Sequence, residues 1–147
     1  MTPQTFTLTY PWDVNGYKPY AEYELGMDDK GFLMRITVCE CDPRRVETEH
    51  QRDIYMDSCA EWFVNFAPEI CDRYLNFEVN ANGAMHVAFR KDRHEGIMLT
   101  DEDIAVLDIH TKITGESCEN GFRFYSSFFC CISQSERTFF AVGDTIC

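Results

Sequence analysis

The sequence lacks any run approaching the ~20 apolar residues that a membrane-spanning helix needs. Met1 to Tyr10 also lacks the cationic start and apolar core of a secretion signal, so the expected location is cytoplasmic. Basic residues are scarce: 13 Lys and Arg stand against 25 Asp and Glu, a formal net charge of −12. With no basic stripe to neutralise phosphates, nucleic acid and anionic membrane surfaces are not expected partners. Spaced Cys-x-x-Cys pairs are missing, and His50, His86, His94 and His110 are scattered, so no zinc site is expected. The 8 cysteines, without a secretion signal, are expected to be mostly reduced thiols. Repeats, low-complexity tracts and linkers are also absent, which implies a single domain over residues 1–147. No window carries a persuasive helical stripe; Glu47 to Met56 is the best short candidate.

What is present is β patterning. Phe32, Met34, Ile36 and Val38 alternate with Leu33, Arg35, Thr37 and Cys39, and a second alternating run extends from Ile104 to Ile113. Residues 121–132 are crowded with aromatics favoured in strands. Turn chemistry punctuates the runs at Asn15-Gly16, Asp28-Asp29-Lys30-Gly31, Asn82-Gly83, Gly115 and Asn120-Gly121. Many short strands between turns predict an all-β fold, an antiparallel sandwich of two sheets with immunoglobulin or jelly-roll-like architecture.

The middle of the chain predicts a register. Residues 60–67 and 74–80 read as strands, with Trp62, Val64, Phe66 and Leu75, Phe77, Val79 on the apolar parity. A slip of one residue would bury carboxylates, so that parity faces the core. A three-residue loop with Gly83 at positive φ then pairs Val79 with Met85, Phe77 with Val87 and Leu75 with Phe89. The opposite face gathers Glu61, Phe63, Asn65, Tyr74, Asn76, Glu78, Asn80, His86 and Arg90, with Glu78 across from His86 and Tyr74 across from Arg90. Carboxylates, amides, a guanidinium and flat rings on one rigid sheet suit a polyhydroxylated ligand, although a solvated sheet face accounts for the same residues.

Asp57-Ser58-Cys59-Ala60-Glu61-Trp62-Phe63, followed by Tyr74-Leu75-Asn76-Phe77-Glu78-Val79-Asn80-Ala81-Asn82-Gly83, resembles the family 9-like carbohydrate-binding modules. Their pattern is a D-S-x-x-E-x-F strand, then an Asn-Phe-Glu-x-Asn strand, then glycine. Phe32 to Glu40 with Asp42-Pro43, and Asp13 to Tyr20, are similar to earlier parts of the family, and the resemblance is strongest over residues 12–93. DOMON domains share the fold. The resemblance implies a two-sheet sandwich that binds sugar on a concave sheet face, with Glu61 as ligand-binding carboxylate and Asn80 as ligand-binding amide. Glu78 stands where the best-described branch has arginine. Asp53, with Ile54 and Tyr55 beside it, stands where that branch has one of two sugar-gripping tryptophans. The segment carrying the second tryptophan is absent, and the C-terminus is shorter than in relatives. The resemblance also implies room for a structural calcium ion; no other cofactor is expected.

The expected function is therefore non-catalytic binding of a mono- or oligosaccharide. Glu61, Asn76, Glu78 and Asn80 are assigned to hydroxyl groups, His86 and Arg90 act as donors, and Tyr74 or Phe63 offers an apolar surface. Trp12, near Tyr17 and Tyr20, is a further candidate contact, whereas the parity of Trp62 places it in the core. Replacing Glu61 or Asn80 by alanine is expected to abolish binding without altering stability. Two other functions compete. One is an interaction or structural β domain that forms a homodimer through an unpaired edge in the aromatic segment 122–132, with Phe139-Phe140. The other is a hydrolase using Glu61 and Glu78, which requires carboxylates roughly 5–9.5 Å apart. Asp28-Asp29-Lys30-Gly31 reads as a hairpin turn rather than a calcium loop.

Overall fold

The computed structural model describes residues 4–7, 16, 18–28, 31–40, 43–118 and 121–130. Alternation becomes strands β1 (Gln4–Thr7), β2 (Tyr20–Asp28), β3 (Gly31–Glu40), β4 (Cys59–Val64), β5 (Tyr74–Asn80), β6 (Met85–Arg90), β7 (Gly96–Met98), β8 (Asp108–Cys118) and β9 (Gly121–Cys130). All pair antiparallel, in a five-stranded sheet of order β1-β2-β3-β9-β8 and a four-stranded sheet of order β4-β5-β6-β7. The two inner faces share one core. Met34 and Ile36 come from the first sheet, and Leu75, Phe77, Val79, Met85 and Val87 from the second. Each such side chain contributes roughly 1.5–3 kcal/mol when removed from water. Trp62 stacks between Phe32 (ring centroids 4.7 Å) and Phe77 (5.3 Å), in the core as its parity predicts.

The predicted register holds: Val79 pairs with Met85, Phe77 with Val87 and Leu75 with Phe89. Gly83 takes φ 83°, and a side chain there would meet Thr111 Oγ1 at 3.1 Å, where the loop approaches β8. At Asp28 and Gly31, β2 and β3 pair as a hairpin.

Four expectations are corrected. Strand β4 stops at Val64 instead of 67, because the Asn65 side chain donates to Cys71 O (2.7 Å) and accepts from Ala67 N (2.8 Å), turning the chain locally. Residues 101–105 form helix α1 (Asp101–Ala105), not the start of a strand. Thr100 and Asp103 make a reciprocal capping box there, and Ile104 and Leu107 enter the core one helical turn apart. Strand β9 has β3 on one side and β8 on the other, so residues 122–130 are not an unpaired edge. Phe139-Phe140 lies outside the described residues. Finally, Cys39 and Cys71 are both disulfide-bonded, while Cys59 is a free thiol. Among the described residues no helix is long and apolar enough to cross a membrane.

Between β3 and β4 the chain runs alongside the second sheet. Gln51, at φ 57°, accepts from Val87 N and donates through Nε2 to Val87 O (3.0 Å) and Leu99 O (2.6 Å), while its own N–H bonds Met85 O (2.7 Å). With His50 Nδ1 accepting from Met85 N (3.2 Å) and Leu99 N donating to Val87 O (3.0 Å), it satisfies the stretch of β6 that the short β7 leaves uncovered. A 3-10 turn, Ile54–Met56, follows and packs on β4 and β5, with Ile54 fully buried.

Candidate functional site

The pairing of β4, β5, β6 and β7 sets the outer side chains in rows across the sheet. One row is Phe63–Asn76–Ala88–Met98, and the next is Glu61–Glu78–His86. On either side lie Tyr74–Arg90–Gly96 and the pair Cys59–Asn80. The polar face read from parity is real, and its two ends differ.

At the Asn80 end the face is covered by the segment 43–58. Asn80 is 0% exposed. Its amide donates to Asp57 Oδ2 (2.8 Å) and Glu47 O (2.8 Å), and its oxygen accepts from Asn82 N and Ala84 N (both 3.0 Å). Every hydrogen bond expected to reach a ligand goes to the chain itself. Asp57 is the partner that makes this corner. It accepts from the Val46 and Glu47 backbone amides and pairs with the Arg44 guanidinium. Burial alone would push its carboxyl up, but the Val46, Glu47, Asn80 and Arg44 donors prevail and hold it below the usual carboxylate range. Ser58 completes the clamp: its hydroxyl accepts from Arg44 N and donates to Glu40, each at 3.0 Å. The D-S pair of the motif is therefore architectural.

The middle of the face is open. Glu61 is exposed and faces the half-buried Glu78 across the β4–β5 ladder. Burial first, and then the Glu61 charge, raises the Glu78 pKa, against weaker relief from Arg90, the Asn76 amide and the Tyr55 backbone. Burial and Arg90 lower the pKa of His86, with Asp53 opposing, so the ring is neutral near pH 7. Arg90 donates to His86 Nε2 (3.1 Å), which assigns the proton to Nδ1, and to Asn76 Oδ1 (3.0 Å). Its path is set by Gly96, where an added Cβ would come within 2.8 Å of Arg90 Cγ. Asn76 is only 3% exposed, and its Nδ2 has no hydrogen-bond partner. Phe63 is 56% exposed and lies 5.9 Å from the half-buried Tyr74 ring. On the 3-10 turn, Tyr55 and Met56 are exposed as well.

Of the residues predicted from sequence, Glu61, Asn76, Glu78, His86, Arg90 and Tyr74 share this face, Asn80 lies beneath its covered corner, and Trp12 lies outside the described residues. Sequence reasoning missed Asp57 as the buried anchor, Gly96 as the seat of Arg90, and the turn that brings Tyr55 beside Glu78. Only Asp57 carried a signal, as the first residue of the motif. Cys59 donates weakly to Glu61 (3.9 Å), and burial with the nearby carboxylates pushes its thiol up to about 12, so it stays protonated and unreactive. No group of three or more His, Cys, Asp or Glu among the described residues is arranged to hold a metal ion.

The fold has a counterpart among solved structures. A candidate carbohydrate-binding protein from Bacteroides uniformis ATCC 8492 superposes with a TM-score of 0.75 at 22% identity, over 89% of this chain and 61% of that one. The chain thus spans about three fifths of that protein's length, and the likeness establishes the sandwich. No curated protein matches the sequence. Residues 4–124 match the profile of carbohydrate-binding family 9, and with most of its length matched the chain belongs to that family.

Proposed function

We propose that the open middle of the four-stranded sheet's outer face binds a mono- or oligosaccharide and does no chemistry on it. The observation that supports this most directly is the meeting of two rows. Glu61, Glu78 and neutral His86 lie beside a shelf bearing exposed Phe63 and an Asn76 amide that lacks an acceptor. A sugar needs both: its hydroxyls donate to carboxylates and accept from amides, while its C–H face lies on a ring. Glu61 and Glu78 accept from hydroxyls, Asn76 Nδ2 donates to a ring or hydroxyl oxygen, and Phe63 with Tyr55 or Tyr74 supplies apolar surface. Arg90 holds Asn76 and His86 in place rather than reaching the sugar. Asn80 anchors the neighbouring loop. Catalysis is not part of this reading, because an exposed Glu61 on an open face is not shielded from water as general acid–base chemistry prefers.

Titration calorimetry against mono-, di- and oligosaccharides, with and without calcium, tests it. A saturable heat that disappears in Glu61→Ala at unchanged melting temperature is expected. Absence of binding across the panel, or binding indifferent to Glu61→Ala, would overturn it.

A further inference from the structure

The ion pairs among the described residues engage Glu24, Glu49, Asp57 and Glu95, and neither Glu61 nor Glu78 has one. Arg90 is turned to Asn76 and His86 instead. The other neighbours among the described residues add no positive charge. Cys59 is a neutral thiol, His86 is neutral, and Asp53 and Asp57 lie on the adjoining segment. Among the described residues Arg90 acts on Glu78 only at a distance and neither facing carboxylate has an ion-pair partner, which leaves a place for a cation that the chain's net charge of −12 draws toward it.

A second observation narrows the cation. Asn76, in the row next to the carboxylates, has a buried Nδ2 beside Glu78 that reaches no acceptor in hydrogen-bond geometry. A buried donor left unmade is costly and calls for an oxygen from outside. A simple amine supplies charge but no acceptor, and a neutral sugar supplies the acceptor but no charge. A sugar with a free amino group supplies both, and its apolar face matches Phe63.

Resting on the saccharide-binding reading above, we propose that the ligand is an amino sugar, its ammonium seated between Glu61 and Glu78 and one of its oxygens accepting from Asn76 Nδ2. The ammonium reverses the like-charge effect of Glu61 on Glu78 and lowers the Glu78 pKa on binding. Where Glu78 is partly protonated, binding therefore releases a proton, and the measured heat varies with buffer.

The test is calorimetry with glucosamine and fully deacetylated chitosan oligosaccharides, against N-acetylated and glucose oligosaccharides of equal length, below the pKa of the amine. The free-amine ligands should bind about tenfold more tightly, and the preference should weaken with salt. Glu78→Gln should remove the preference, read as the ratio of amino-sugar to neutral-sugar affinity, whatever it does to the affinity for both. Glu61→Gln, at an exposed position, serves as a second variant, and circular dichroism reports the fold of both. Equal or tighter binding of N-acetylated or neutral sugars, or a preference that survives both variants, overturns the proposal. If neutral sugars bind through Glu61 without any ammonium preference, only this inference fails. If no saccharide of either class binds, the broader reading fails with it.

Discussion

Two acid–amide pairs lie on the same sheet face and are treated in opposite ways. Asp57 and Asn80 are both buried, yet every oxygen and amide hydrogen is matched, and the acid is held below its usual range. Glu78 and Asn76 lie within the same ladder, yet the acid is held above its range and the amide, bonded to Arg90 through its oxygen, has an Nδ2 that makes no hydrogen bond. Burial acts against both carboxylates. What differs is the balance of what approaches: backbone amides, the Asn80 amide and a guanidinium prevail at Asp57, whereas at Glu78 the facing Glu61 carboxylate adds to burial and outweighs the relief from Arg90, the Asn76 amide and the Tyr55 backbone. Matched polar groups mark where the fold is held, and unmatched ones mark where it has capacity left for a ligand.

Breaking the matched corner should have the largest effect. Asp57→Ala leaves the Val46 and Glu47 backbone amides without their acceptor and takes one of two acceptors from the Asn80 amide, and should cost about 3 kcal/mol in chemical denaturation. Asn80→Ala should cost about 2 kcal/mol, contrary to the unchanged stability expected from sequence, because four hydrogen bonds go with it. Asn76→Ala removes one bond and one orphan together, and should stay within about 1 kcal/mol of wild type. The pH dependences should have opposite signs. Asp57 contributes stability above the ordinary aspartate pKa of ~3.9 that is lost as pH falls through its lower folded value. Glu78 instead weakens the fold near pH 7, and the deficit is relieved as pH falls through its raised folded value toward ~4.3. Glu78→Gln should consequently stabilise by at most about 0.5 kcal/mol at pH 7, since Glu78 is only half-buried and solvent screens it. That gain should vanish in acid, and a Tm advantage that persists there would contradict the assignment.

The strand register was legible because parity is strict. Trp62, Leu75, Phe77 and Val79 could not exchange faces with Glu61, Asn76 and Glu78 without burying charge. The same logic placed Glu78 opposite His86 and Tyr74 opposite Arg90. Parity does not say which outward residues are covered from above. Segment 43–58 has no period, and its path is fixed by Asp57, Ser58 and Gln51 bonds to residues distant in sequence. Asn80 consequently looked open from sequence and is closed in the structure. Helix α1 did leave a local sign, Thr100 with Asp103, but the apolar residues after it also fit a strand.

Gln51 carries a consequence for the protein's behaviour in concentrated solution. A strand whose outward amides and carbonyls are bare is a template for another chain, the first step toward ordered aggregates. At Met85 and Val87 those groups are occupied by the Gln51 side-chain amide and backbone N–H, by His50 Nδ1 on the Met85 N–H and by the Leu99 N–H on Val87 O. The β6 edge is thereby closed to recruitment, and Gln51→Ala, which bares the Val87 N–H, should raise self-association in concentrated solution as read by light scattering.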